Sequence, residues 1–343
     1  MTLNPAPAER DLRRDQLTAW LQGLPAVLKV EPGSLQPASA DASFRRYFRV
    51  DAAHGTLIVM DAPPGKEDVR PFVRVAQMLR DAGLNAPSVL EADIARGFLL
   101  LTDLGRKTYL DVLNEGNAPE LFGEATAALL RWQLATRPGA LPPYDEALLR
   151  RELALYPDWY VERHLGRPLS AGQRQALDTV FDRIVATNLA QPTVFVHRDY
   201  MPRNLMVSSP MPGVLDFQDA VIGPVTYDLA SLLRDAFISW DEERVIDWSV
   251  RYWEQARRAG LPVAADFSAF WRDFEWMGLQ RHLKVLGIFA RINYRDGKPH
   301  YLADTPRFVA YVRAVARRYD ELAPLARLFD EFEGVEVKTG YSF

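Results

Sequence analysis

Two neighbouring stretches decide how this chain is read: Val194-Phe195-Val196-His197-Arg198-Asp199-Tyr200-Met201-Pro202-Arg203-Asn204-Leu205 and, a little further on, Val214-Leu215-Asp216-Phe217-Gln218. Each starts as a short β-branched or aliphatic run and ends in polar residues, so each reads as a strand that delivers a loop. The first loop has the pattern H-R-D-x-x-x-x-N. That spacing lets one loop present the Asp199 carboxylate to an acceptor hydroxyl and the Asn204 amide oxygen to Mg²⁺, while the second brings the Asp216 carboxylate to the metal. Donors that are all oxygen suit magnesium bridging phosphate oxygens. Alone, His197 reads as a packed core or loop histidine and Asp-x4-Asn as a turn. The conjunction of two such loops at two strand ends carries the signal.

Outward from this island the chain changes character. Before it, short strands are expected at Phe44 to Asp51, Thr56 to Ala62, Ser88 to Asp93 and Phe98 to Asp103, after an opening amphipathic helix near Ala8 to Leu21. The segment Val69 to Ala82 spaces Phe72, Val75, Ala76 and Leu79 for one helix face and stops at Gly83. From about Leu110 the periodicity is helical, at Pro119 to Ala135, Ala147 to His164, Ala171 to Leu189, Glu242 to Ala259, Phe267 to Ile292 and Pro306 to Tyr319. The expected architecture is α+β and bilobal, with a strand-rich, nucleotide-covering lobe at 1–103 and a helical lobe at 104–343 that carries both loops. A cleft between two lobes is where a ligand is expected.

The composition sets the outer bounds. With 343 residues, 48% hydrophobic and 25% charged, the chain can bury a sizeable core. A net charge of −4 provides no global field for nucleic acid or an anionic membrane, so any anion site is local. There is no cysteine, which removes disulfide scaffolds and thiolate chemistry. No stretch reads as a secretory signal or a membrane span, so a cytoplasmic location is expected.

The two loops, with Gly223-Pro224 and Tyr227-Asp228-Leu229-Ala230 after them, resemble the aminoglycoside phosphotransferase and choline kinase group, relatives of protein kinases. The resemblance runs from the strands near Phe44 to the helices near Tyr319, and its specific part is Val194 to Ser231. It implies a kinase-like fold using ATP and Mg²⁺, with Asp199 as catalytic base, Asn204 and Asp216 as metal ligands, and His197 and Asp228 as supporting residues, Asp228 being read as a helix N-cap that also braces the catalytic loop. Within the group, the chain is most similar to bacterial anomeric kinases of N-acetylated amino sugars used in cell-wall recycling. That closer match rests on Asp41-Ala42-Ser43-Phe44-Arg45-Arg46-Tyr47-Phe48, Met60-Asp61-Ala62-Pro63-Pro64, Asp158-Trp159-Tyr160 and Arg281 to Phe289.

Departures from the kinase pattern are as informative. The turn Ala40 to Phe44 has no glycine, Met60 stands where the phosphate-pairing strand Lys is expected, and Phe72-Val73-Arg74 stands where its Glu partner would be. Arg45, Arg46 and Lys66 are therefore candidates to meet the nucleotide phosphates, with Ser43 in the same turn. Val59 and Leu101 are expected to flank the adenine, and Thr102, Asp103 and Leu104 to read its edge. On the acceptor side, Trp276 to His300 carries a local charge of +4, which disfavours polycations such as aminoglycosides. Arg281, Lys284 and Arg291 are candidates for a lactyl carboxylate, and Trp159 for stacking on a sugar. The resemblance thus implies phosphorylation of N-acetylmuramate or N-acetylglucosamine at the anomeric hydroxyl. The rivals are an aminoglycoside or small-alcohol kinase and a nucleotide-binding pseudokinase.

Overall fold

Residues 11–39 and 44–332 are described by the computed structural model, in which the chain divides into two compact units: Met1–Arg106 with Val207–Gln218, and Lys107–Met206 with Asp219–Phe343. The first unit is built on five antiparallel strands, β1 (Glu31–Ser39), β2 (Arg46–Ala52), β3 (Gly55–Asp61), β4 (Val89–Asp93) and β5 (Phe98–Thr102), in the spatial order β1-β2-β3-β5-β4. Side chains alternate across the sheet. One face, carrying Phe48, Val50, Val59, Phe98 and Leu100, packs on Leu17 and Leu21 of helix α1 (Leu12–Gln22) and on Leu35. Helix α2 (Arg70–Asp81) buries Phe72, Val75, Ala76 and Leu79, the stripe expected from their spacing. Its Phe72 ring lies 4.7 Å from the ring of Phe217, which follows Asp216.

Strand β1 has no counterpart among the expected strands because Pro32, Gly33 and Pro37 argue against one. It is an edge strand with register irregularities around both prolines, where a missing N–H is tolerated.

The second unit is mainly helical around one short antiparallel pair, Thr193–Val196 with Val221–Pro224. The latter strand was hidden by Gly223 and Pro224. Helix Ala171–Leu189 has the expected bounds. The helix expected over Ala147 to His164 is instead an α-helix at Glu146–Leu153 and a π-helical stretch at Tyr156–His164. Pro157 explains the break, since it has no N–H for the α-helical ladder and its ring displaces the preceding turn. The long helix Phe267–Asp296 crosses this break so closely that a Cβ on Gly287 would sit 2.3 Å from the Leu155 carbonyl carbon and oxygen. Among the described residues, no helix is long and apolar enough to cross a membrane.

The Gly287 contact is with backbone, which cannot rotate away. Gly287→Ala is therefore expected to destabilise the protein by at least the ~1–3 kcal/mol typical of overpacking, read as a lower urea midpoint at unchanged m-value. A parent-like midpoint would show that helix and break are not in such contact.

Candidate active site

The strand Thr193–Val196 delivers His197, and the chain then turns sharply because Arg198 adopts φ +78°. A non-glycine residue there carries backbone strain of roughly 1–2 kcal/mol. What holds the turn is Asp228. Its carboxylate is fully buried and accepts from the backbone N–H of His197 at 2.7 Å and of Arg198 at 2.9 Å. Asp228 is not the N-cap of helix Tyr227–Leu233, as the sequence suggested. Thr226 occupies that position without a side-chain cap, and Asp228 lies in the first turn with both its oxygens committed to the backbone of His197 and Arg198. Its sequence signal, an acid at a helix start, is the same for both roles.

Within the loop, the His197 Nδ1 accepts the Asp199 N–H at 3.3 Å, and the buried Tyr200 hydroxyl donates to the Ala125 carbonyl at 2.8 Å. Asn204 closes a 3-10 turn and donates its amide nitrogen to the Asp199 carbonyl at 2.9 Å, which turns the amide oxygen to the opposite side. Asp199 and Asn204 are thus held as one rigid element. In the first unit, Asp216 has φ +62° and its carboxylate accepts from Gln218 Nε2 at 2.9 Å. Among the described residues, no group of three or more His, Cys, Asp or Glu could hold a metal. Asn204 in the second unit and Asp216 in the first each carry an oxygen donor of the type that suits Mg²⁺.

Behind the loop, Arg198 Nη2 pairs with Glu152 at 2.5 Å, and Lys284 Nζ lies 3.0 Å from the same carboxylate. Tyr144 and Gln280 also donate to Glu152, the latter at 3.2 Å, and Lys284 donates to the Tyr227 hydroxyl at 3.1 Å. Burial would raise the Glu152 pKa, but Lys284, Arg198 and the Tyr144 hydroxyl hold it down to about 2. Sequence reading missed Glu152 because Arg150-Arg151-Glu152 looks like a solvated helix face. Lys284 was read as a cation for substrate, whereas the fold gives it an internal anion. Arg281 is likewise buried, with Asp228 and Asp235 as anionic neighbours. Arg291 is partly exposed, and Trp159 sits in the π-helical stretch with the Arg163 guanidinium 5.1 Å above its ring.

On the sheet, Val59 pairs directly with Leu100, and Ile58 with Leu101. Val59 and Leu101 consequently point to opposite faces and cannot flank one ring. Ile58, Met60 and Leu101 share a face, and the strand's period of two was the signal that would have selected Ile58 over Val59. Arg46 faces the other way too, pairing across the strands with Asp61 and forming ion pairs with Asp61 and Asp11, each at 2.5 Å. It is not available to phosphates on the Met60 face. Arg45 lies 3.6 Å from Glu67, and Lys66 Nζ lies 5.1 Å from the Phe44 ring. Asp103 accepts from Arg49, Thr56 and the Gly105 N–H, while the Thr102 N–H donates to the Ser88 carbonyl and Leu104 follows as a half-buried connector. Ser43 lies outside the described residues. Met60 is completely buried, as expected of an apolar replacement for Lys with no Glu to meet it.

Comparison with known proteins agrees with this geometry. Residues 34–267 match the phosphotransferase enzyme family. The N-acetylmuramate/N-acetylglucosamine kinase of Pseudomonas aeruginosa is 54% identical over 93% of this chain and 96% of its own. The protein of the same name from Neisseria meningitidis is 50% identical over 96% and 99%. Among solved structures, a choline/ethanolamine kinase family protein from Mesorhizobium loti superposes with a TM-score of 0.59 at 16% identity, covering 92% of this chain and 99% of that one. An amicoumacin kinase in complex with AMP-PNP, Ca²⁺ and Ami gives a TM-score of 0.60 at 14% identity, covering 87% of this chain and 92% of that one. The fold is that of this kinase-like group.

Asp228 is pushed up to about 7, chiefly by burial, with Asp199 adding to the rise and the two backbone N–H donors and Arg281 opposing it. The folded chain therefore holds a proton that the unfolded chain releases between about pH 4 and 7. This group's contribution to stability is present in full below about pH 4 and lost as pH rises through about 7. Asp228→Asn should flatten the urea midpoint between pH 5 and 7.5 and, by offering an N–H₂ group to a backbone donor, lower kcat by about tenfold or more. An unchanged pH profile of stability would contradict the burial effect, and an unchanged kcat would contradict the brace.

Proposed function

Because this chain belongs to the phosphotransferase enzyme family, we propose that it transfers the γ-phosphoryl group of ATP to the anomeric hydroxyl of N-acetylmuramate and N-acetylglucosamine, a step of peptidoglycan recycling. The observation that carries this reading is the 50–54% identity, over nearly the whole length, to kinases named for those two sugars. Of the charges in residues 276–300, Arg291, Arg295 and Lys298 stay at least partly exposed against the single acid Asp296, a balance that disfavours a polycationic acceptor.

Asp199 accepts the proton of the attacking hydroxyl. A hemiacetal hydroxyl is more acidic than an ordinary alcohol, so a carboxylate can take its proton late, as bonding to phosphorus develops. Asn204 and Asp216 each offer an oxygen ligand for Mg²⁺, which when bound would neutralise charge on the phosphate oxygens. Solved relatives of this fold with ADP, or with AMP-PNP and Ca²⁺, support the use of a nucleotide and a divalent cation. Ile58 and Leu101 flank the adenine, the backbone of Thr102 to Leu104 reads its edge, and Arg45 with Lys66 supplies the cationic charge that the missing strand Lys does not. With Lys284 and Arg281 engaged internally, Arg291 is the cation assigned to the lactyl carboxylate, and Trp159 stacks on the sugar.

The test is an acceptor panel read by ADP release and by NMR of the product. N-acetylmuramate and N-acetylglucosamine should gain phosphate at C1, while their 1-O-methyl glycosides, choline and an aminoglycoside remain inert. Transfer to C6, or turnover of the blocked glycosides, would reject the anomeric assignment. Asp199→Asn should lower kcat by the roughly 10²–10⁴ of a general base with little change in nucleotide affinity. Arg291→Gln should raise KM for N-acetylmuramate several-fold and leave that for N-acetylglucosamine, which lacks the carboxylate, near the parent value. Equal effects on both sugars would remove Arg291 from that role.

A further inference from the structure

Glu152 belongs to no motif, yet several separate parts of the second unit end on its carboxylate. It closes helix Glu146–Leu153 and is 5% exposed. Oε1 faces both Arg198 Nη2, at 2.5 Å, and Lys284 Nζ, at 3.0 Å, while Oε2 takes the Tyr144 hydroxyl and Gln280 Nε2. Arg198 is the residue in the left-handed conformation immediately before Asp199, and its guanidinium also reaches the Asp219 carbonyl at 3.5 Å. The turn is therefore clamped twice, through its backbone by Asp228 and through its side chain by Glu152. Two cations on one carboxylate leave a surplus of positive charge, and Asp199 is the further carboxylate whose field both Arg198 and Lys284 feel.

We propose that Glu152 is a positioning residue for phosphoryl transfer: by anchoring the Arg198 and Lys284 side chains it fixes the turn that aims the Asp199 carboxylate. This rests on the assignment of Asp199 as base in the proposed function. It also supplies what the sequence leaves unexplained, namely why an arginine occupies a position whose backbone conformation disfavours any side chain. The Arg198 fork reaches the Glu152 carboxylate from that conformation, and anchoring at both ends of the residue leaves the turn little freedom.

Three measurements test this, on Glu152→Gln and on Glu152→Gln combined with Lys284→Met. The single variant leaves two buried cations with no carboxylate between them and should lose thermal stability as well as activity. The double variant removes one of those cations and should regain most of the stability, while Arg198 still lacks its anchor. If Glu152 positions the loop, kcat in the double variant stays about 10- to 100-fold below the parent, as expected for a misplaced catalytic group, with KM for ATP within about twofold. If Glu152 serves only to balance charge, the double variant recovers kcat together with stability, and the proposal is overturned.

Amide hydrogen exchange at Arg198 to Tyr200 provides a readout that needs no acceptor. It should quicken in the double variant while helix Ala171–Leu189 keeps its protection. Parent-like exchange in the loop would mean that Asp228 alone suffices, which also overturns the proposal. A parent enzyme that phosphorylates neither amino sugar would overturn the substrate reading instead, and the exchange measurement still decides the role of Glu152.

Discussion

The backbone N–H groups of His197 and Arg198 both end on the Asp228 carboxylate, and the loop that carries Asp199 owes its shape to that contact. Two such hydrogen bonds, at roughly 0.5–1.5 kcal/mol each, together offset the strain of roughly 1–2 kcal/mol stored by the left-handed Arg198. The strain survives because the surroundings over-determine the conformation. Helix Tyr227–Leu233, which carries Asp228, is buried along its whole length, so the carboxylate cannot move away from the loop. Rigidity here has a functional meaning, because phosphoryl transfer depends mainly on placing groups and fields correctly.

The polar network behind the loop follows the rule for buried charge. Glu152, Arg198 and Lys284 would each be costly to bury alone, and they are buried together, with Tyr144 and Gln280 donating to the carboxylate and Tyr227 accepting from Lys284. The +4 segment therefore does not present all its charge to solvent or substrate. Lys284 is consumed inside, Arg281 sits against buried carboxylates, and Arg291 is the partly exposed member.

The first unit shows how a kinase-like sheet can do without its usual ion pair. A Lys with no Glu would be a buried charge without a mate, and here Met60 is fully buried while Phe72-Val73-Arg74 in helix α2 offers no carboxylate. The arginine-rich strand β2 spends its charge within the unit: Arg46 on Asp61 and Asp11, Arg49 on Asp103. Which arginine faces which side of the sheet is a matter of register, and a shift of one residue would exchange their roles.

The sequence by itself determined the class of chemistry, because H-R-D-x-x-x-x-N and the following Asp fix residue types at separations that one loop must satisfy locally. Elements such as Ala171–Leu189 and Thr193–Val196 were legible for the same reason: the local pattern and the structure it specifies lie within a few residues of each other. What only the tertiary structure decided involves partners far apart in the chain. Asp228 could cap its helix as well as brace the loop until both its oxygens were seen on His197 and Arg198, 31 and 30 positions away, and Lys284 could be a substrate cation until Glu152 was found beside it. Val59 and Ile58 could each have flanked a ring until strand register put them on opposite faces, and Pro157 ended a helix that its apolar spacing would have continued. Charges and faces acquire their roles from what the fold packs against them, and a local pattern carries no information about a neighbour more than a hundred residues distant.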